Sequence, residues 1–405
     1  MTYKAVFLAG LLLALAAPVT AQPIAREPDP ELVRLRLGPL LLNPSFSLTN
    51  LGVDTNVFNE ADVDNPDSDF TLTVTPQTDL WLRMGRTWLA GNIREDLVWY
   101  KRFSSERSAN SRYALSWLAP LTRVAFSAGT SWLSTRERPG FEIDARSERD
   151  EAGVNAAFEL RTLSKTYVGL RAERLDIDFA TDAEFLGRTL REELNRTQTT
   201  AGLRIRHELS PLTNLTLDVA RQQDRFDFNP LRDSNSTRIG VGVALDPFAL
   251  VKGTAEIGYR RFDPITGGIP AFNGAIANVD LSYVALGSTR LGVQATRDVQ
   301  YSFEVTQPYY LLTGFSGSIQ QQVLGPLDVQ ARAGRQRLSY RDAAGSGLQV
   351  PDRVDHVRSF GGGIGYRLGQ GLRAGFNLDH YSRTSDISNR RYDGLRFGTT
   401  VTYGL

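Results

Sequence analysis

Two sets of residues in this chain could do chemistry: three histidines, and a basic set made almost entirely of arginine. The histidines are His207, His356 and His380. A hydrolase would need one of them as a positioned base beside a nucleophile and an orienting acid. No such Ser/His/acid set can be assembled from their spacing, so the chain does not read as an enzyme. Asp355, His356 and His380 could be set around a metal, but polar residues at the ends of neighbouring elements explain them as well. No metal and no cofactor is expected. The run Gly361-Gly362-Gly363-Ile364-Gly365 has the glycine density of a phosphate loop, but it lies within a strand pattern and no helix follows it. Small residues there let a neighbouring wall or a plugging loop approach closely. What remains is arginine: of 46 basic residues, all but Lys4, Lys101, Lys165 and Lys252 are Arg. A guanidinium fork binds a carboxylate bidentately. Rows of Arg beside Asp and Glu therefore either brace a wall or line a wet conduit whose fixed donors meet passing anionic or hydroxylated groups.

The elements that would position these rows are strands. Downstream of about residue 43 a two-residue period dominates. Val124, Phe126, Ala128, Thr130 and Trp132 share one parity, and Arg123, Ser127 and Ser131 the other. Ile239, Val241 and Val243 alternate with Arg238, Gly240 and Gly242; Leu372, Ala374, Phe376 and Leu378 alternate with Arg373, Asn377 and Asp379. Successive strand side chains point to opposite faces, so each segment is apolar on one side and polar on the other. About eighteen such segments can be marked, the first at roughly 43–58 and the last at 390–405, many longer than a globular strand. The polar parity collects Arg94, Asp96, Arg123, Arg171, Glu173, Arg204, Arg206 and Arg238 as candidate pore-lining residues. Further along it collects Glu256, Arg260, Asp280, Asp298, Arg332, Arg373, Asp379 and Arg396.

Connections alternate between short turns, such as Arg83 to Arg86 and Leu324 to Leu327, and longer polar stretches, such as Asn59 to Asp69 and Arg136 to Glu148. Short periplasmic turns opposite long extracellular loops mark a bacterial outer-membrane barrel. The expected fold is all-β: a transmembrane antiparallel up-and-down barrel of about 18 strands (16–18). A propeller would repeat a blade motif every 40–50 residues or so, and none is found; a two-domain sandwich would carry a linker, and residues 43–405 contain none. Trp81, Trp88, Trp117 and Tyr403 are expected at the periplasmic interface, and Trp99 and Trp132 at the outer one.

The remaining composition agrees. The 405 residues carry a formal charge of +1, 10% aromatics and no cysteine, which excludes disorder, a disulfide scaffold and a cysteine-based metal site. Near-zero net charge gives no reason to expect nucleic acid. Lys4, an apolar run and Val19 and Ala21 at the −3 and −1 positions read as a secretory signal peptide over 1–21. Residues 22–42 then form a periplasmic lead, and 43–405 a single outer-membrane barrel.

The segment Arg36 to Phe46, followed by Gly52-Val53-Asp54-Thr55-Asn56-Val57-Phe58-Asn59, resembles the opening of the putative β-barrel porin 2 family, and the closing Arg391 to Leu405 is similar to that family's last strand. Asp54, Asn56, Val57 and Phe58 are the matching motif positions; here Thr55 separates the acid from Asn56. The resemblance implies an outer-membrane barrel associated with exopolysaccharide synthesis and export. The expectation is therefore a conduit in outer-membrane lipid that passes an exopolysaccharide or another hydrophilic solute, with possible periplasmic export components as partners. A general diffusion porin for small hydrophilic solutes is the alternative, and an outer-membrane enzyme or adhesin on the same wall a more distant one.

Overall fold

The computed structural model describes residues 28, 33–245, 249–346, 350–369 and 371–404. The signal segment 1–21, residues 22–27 and 29–32 of the lead and the terminal Leu405 lie outside the described residues. Nineteen strands share one sheet. A short strand, β1 (Leu35–Leu37), pairs with the start of β2 (Leu40–Asp54). The wall continues through β3 (Asp69–Met84), β4 (Thr87–Tyr100), β5 (Ser108–Pro120), β6 (Val124–Glu137), β7 (Ser147–Leu163) and β8 (Thr166–Phe179). A two-stranded insert, β9 (Glu184–Phe185) and β10 (Arg188–Thr189), leads into a one-turn helix α1 (Leu190–Leu194). The wall resumes with β11 (Arg196–Ser210), β12 (Thr213–Phe226), β13 (Ser234–Leu245), β14 (Val251–Pro264) and β15 (Phe272–Ala285). It ends with β16 (Thr289–Tyr301), β17 (Tyr309–Leu324), β18 (Leu327–Arg341), β19 (Val354–Leu368), β20 (Leu372–Thr384) and β21 (Tyr392–Tyr403).

Without β1 this is the expected eighteen-stranded wall. Each strand pairs antiparallel with its neighbour, β8 meets β11 across the insert, and β2 closes the cylinder by pairing with both β3 and β21. Closure leaves no sheet edge around the lower wall, which a lipid environment requires because no water is there to satisfy free backbone groups. The first strand differs from the sequence reading in bounds and in register, running over Leu40–Asp54 and not 43–58. The wall begins at Leu40 rather than at 43, because the Gly38 turn (φ 61°) lets β1 fold back onto β2. Pairing of β2 also slips at Asn50 (φ 54°), a bulge between Leu48 and Leu51. Below it Phe46 and Leu48 share a face with Tyr403 and Val401; above it Leu51 and Val53 do, so a single parity could not describe that strand.

The outward face carries the exposed apolar residues, among them Phe126, Trp132, Leu170, Ile239, Val241, Phe376 and Leu378. Trp117, Tyr403, Trp99 and Trp132 are on it, as expected of interfacial girdles. Trp81 and Trp88 are not. They take the inner parity beside buried Ala90, and Arg83 stacks on Trp88 at 5.6 Å. The motif of paired Trp around a turn misled because the regular β3–β4 register, Trp81 opposite Ala90 and Arg83 opposite Trp88, puts both rings on the face that carries Arg94 and Asp96.

At the end of the long loops the cylinder is not a simple tube. β15 and β16 pair only from Ala277–Arg297 down to Ala285–Thr289, whereas β14–β15 continue to Phe262–Phe272 and β16–β17 to Tyr301–Tyr309. Above Ala277 the wall is therefore split. Val299, Tyr309 and Leu311, outward by parity, are buried there against Phe262, Phe272 and Ile276, which are inward by parity. The top of the β16–β17 hairpin has left the wall and packs inside β14–β15. A second apolar cluster joins Ile143, Leu175, Ile177, Phe179, Leu190 and Phe303, and a third joins Tyr310, Leu312, Leu338 and Tyr340. The interior thus has an apolar, packed extracellular end and a polar remainder.

Candidate functional site

Fifteen of the sixteen candidate lining residues lie in wall strands on the inner parity; the other does not. Arg123 sits in the turn between β5 and β6, where its carbonyl accepts from the Arg161 amide at 2.8 Å. Its parity matched β6, but the strand starts one residue later.

The inward charges are joined across strands. Asp218 on β12 accepts from Arg171 on β8 at 2.7 Å and from Arg204 on β11 at 3.1 Å. Arg206 bridges Glu159 at 2.8 Å and Glu208 at 3.0 Å. Arg238 and Arg260 share Asp298 at 2.7 and 2.8 Å. Arg94 pairs with Asp96 at 3.0 Å, which also accepts from Thr75 Oγ1 at 2.5 Å. Arg332 pairs with Asp379, and Arg373 with Asp328 at 2.7 Å. Glu173, Glu256 and Asp280 make no ion pair among the described residues; Asp280 accepts from Gln294 at 3.3 Å. Most of the arginine set therefore braces the wall, and the carboxylates left over are the groups open to a solute.

The glycine run on β19 explains how this bracing lies flat. Gly361, Gly363 and Gly365 face inward between β18 and β20. A methyl on Gly361 would lie 2.8 Å from Arg332 Nε, and one on Gly363 would lie 2.9 Å from Gln330 Nε2. One on Gly365 would lie 2.5 Å from Arg373 Nε. The pairs Arg332–Asp379 and Gln330–Asn377 cross β19 through the space its glycines leave. The close approach expected of these residues is made by side chains from the flanking strands.

The mouth is closed by residues 138–146, which connect β6 to β7 and fold inward. Glu142 is 2% exposed; its carboxylate accepts from Ser302 Oγ at 2.6 Å and the Phe303 amide at 3.2 Å, at the tip of the inward hairpin. Burial holds the Glu142 carboxyl above its ordinary range. Fully buried Arg383 donates to Asp144 at 2.8 Å, to Asp355 at 3.0 Å and to the Glu142 carbonyl at 3.2 Å. Arg390 reaches Asp144 at 3.2 Å, and Arg353 pairs with Asp355 at 2.6 Å. Arg232 clamps the hairpin by donating to the Pro308 carbonyl at 2.8 Å and the Ser302 carbonyl. Of these groups sequence reasoning singled out only Asp355, and for a metal beside His356 and His380. Glu142, Asp144, Arg232, Arg353 and Arg390 lie outside the wall strands, where no period exposes them, and Arg383 stands at the very end of β20.

The motif positions belong to the same closure. Asp54 accepts from Arg396 at 2.6 Å, Tyr381 Oη at 2.5 Å and the Asn56 amide at 3.1 Å, pinning the seam between β2 and β21. Asn56 donates to the carbonyls of Glu60 at 2.9 Å and Asp393 at 3.0 Å. The carbonyl of fully buried Val57 accepts from Arg138 at 2.7 Å and Arg146 at 3.0 Å, the two feet of the inward loop. Phe58 packs edge-on against Phe103 at 4.8 Å. Among the described residues no cluster of metal-ligating side chains occurs; His356 and His380 face outward.

No curated protein matches the chain. Among solved structures, a BenF-like porin from Pseudomonas fluorescens Pf-5 aligns over 91% of this chain and 98% of its own, with 11% identity and a TM-score of 0.50. OccK2 (OpdF) of Pseudomonas aeruginosa, solved in complex with glucuronate, aligns over 89% and 97% at 12% identity, with a TM-score of 0.48. OpdK of the same organism, solved with vanillate, aligns over 90% and 96% at 11% identity and 0.45. Likeness at this level bears on the fold. A family model described as putative beta-barrel porin 2 matches residues 29–404. Family and fold point to a channel rather than an enzyme, a porin-like barrel of the bacterial outer membrane. With the family model spanning nearly the whole closed wall, the chain belongs to the putative β-barrel porin 2 family.

Proposed function

We propose that this barrel is a gated channel for small hydrophilic solutes, the alternative raised by the sequence, rather than a conduit for exopolysaccharide. The observation that carries the reading is the closed mouth. Loop 138–146 and the β16–β17 hairpin meet through Glu142, Ser302 and Phe303, and are locked to the wall by Arg383, Arg390 and Arg232. A polymer would need the whole bore cleared of this packed material, whereas a small solute needs only local displacement of one loop. Beneath the mouth, many weak polar sites would exchange with a solute's hydration water, and none is built for tight retention. The fold-level likeness to a BenF-like porin supports the same reading.

Planar-bilayer recording of the purified protein is expected to show small, infrequent openings. Replacing residues 139–145 with a short glycine linker should raise the conductance and speed the swelling of liposomes in small sugars. Deleting the gene should leave surface polysaccharide unchanged. Loss of surface polysaccharide on deletion would overturn the small-solute reading in favour of export.

A further inference from the structure

The outward face of the wall is apolar across the membrane and then changes character abruptly over four adjacent strands. On β18 the outward positions run Val329, Ala331, Ala333, then Arg335, Arg337 and, past Ser339, Arg341. On β19, descending, they run His356 and Arg358 and then Phe360, Ile364, Tyr366 and Leu368, with Phe360 54% and Ile364 56% exposed. Arg297 occupies the same level on β16, two strands away through its hydrogen bond to Thr313 Oγ1 at 3.0 Å.

The pairing of these residues is unfavourable as it stands. Arg335 is directly opposite Arg358, and Arg337 directly opposite His356. Like charges opposite each other on a sheet are destabilising, which applies here to Arg335 and Arg358, whereas His356 leaves Arg337 without a carboxylate opposite it. Unlike the inner arginines, Arg335, Arg337 and Arg358 are exposed and make no ion pair among the described residues. Asp393 on β21, two strands from Arg358, lies 3.7 Å from His380. Two other outward arginines are paired, Arg174 with Asp176 at 3.0 Å and Arg261 with Asp263 at 2.9 Å. Exposed Arg221 on β12 makes no ion pair among the described residues either, but it stands opposite Ala201 and Thr237, not opposite a second cation.

From this we infer that the Arg335–Arg337–Arg358 face is a binding site for a phosphorylated glycolipid of the outer leaflet. The height carries the assignment. These guanidiniums begin one strand position above the apolar band, on the long-loop side, where acyl chains end and a lipid's phosphorylated headgroup begins. A phosphate presents three acceptor oxygens to forked donors, and a lipid holding it beside Phe360 and Ile364 would bury its chains on the band below. Repulsion between the paired arginines becomes attraction to a shared anion.

The test uses full-length protein refolded in a zwitterionic detergent. Thermal midpoints are measured with added bisphosphorylated lipid A, dephosphorylated lipid A or inorganic phosphate. A rise in midpoint is expected with the bisphosphorylated lipid alone. In the triple variant R335Q/R337Q/R358Q the affinity should weaken by about fivefold per arginine removed, and in the Arg-to-Lys triple it should be largely retained. Arg261→Gln, at a paired outward arginine, should change nothing. Heat-dependent gel mobility shows in each case that the barrel has folded. Equal stabilisation by dephosphorylated lipid, stabilisation by inorganic phosphate alone, or an unaltered response in the glutamine triple would each overturn the assignment.

Discussion

Arg383 has no exposed side-chain surface, yet it touches three acceptors drawn from two other parts of the chain. Removing one partner of a buried ion pair costs more than the pair contributes, because the other charge is stranded. Arg383→Ala should therefore destabilise the closed mouth by roughly 3 kcal/mol, shifting the closed-to-open ratio more than a hundredfold. The measurement is open probability in a planar bilayer, with folded gel mobility retained. Glu142 gives the mouth a pH dependence of defined sign. Its carboxyl is raised by burial when the mouth is closed, and on opening into water it returns toward the ordinary carboxyl range. The closed form then binds the proton more tightly, so closure gains stability as pH falls through the raised value, and that gain is lost as pH rises again. Open probability should decline on acidification, and Glu142→Gln should flatten the response. Of these residues only Asp54, Asn56, Val57 and Phe58 stood out in the sequence, through resemblance. That Val57 works through its carbonyl could not be read from any side chain.

Strands were legible because alternation is a local property: each face of β6, β13 and β20 is visible within a few residues. What escaped was wherever the chain changes face or leaves the wall. The Asn50 bulge inverts the parity of β2, and the β16–β17 hairpin keeps its alternation while its top turns inward to bury Val299 and Leu311. Periodicity reports that one face is buried and is silent on what covers it. The glycine run of β19 shows the same limit, since its purpose depends on Arg332, Asn377 and Asp379 arriving from two other strands. Gly363→Val should force Asn377 and Gln330 off the wall, because even a single methyl there lies 2.7 Å from the Phe376 carbonyl oxygen. The expected outcome is a lower temperature of heat-induced mobility change together with reduced conductance.

At the scale of the whole molecule, a closed antiparallel wall satisfies its own backbone, so detergent-extracted protein should migrate faster unheated than boiled on a gel; identical mobility would contradict closure. The 405-residue length and nearly neutral charge would suit a soluble multidomain protein equally well, and only parity separated an apolar lipid face from a polar lumen. The sequence by itself determined the all-β class, the strand number to within its stated range and the inner parity of nine of its ten candidate arginines, because each of these depends on residues adjacent in the chain. Tertiary structure decided which arginines are spent on bracing, that loop 138–146 and the hairpin tip close the mouth, and that one outward sector is left with unpaired positive charge. Those outcomes depend on groups brought together from distant strands, such as Arg383 with Asp144 and Arg335 with Arg358. Pairing of that kind is set by closure and register of the barrel, which no local pattern encodes.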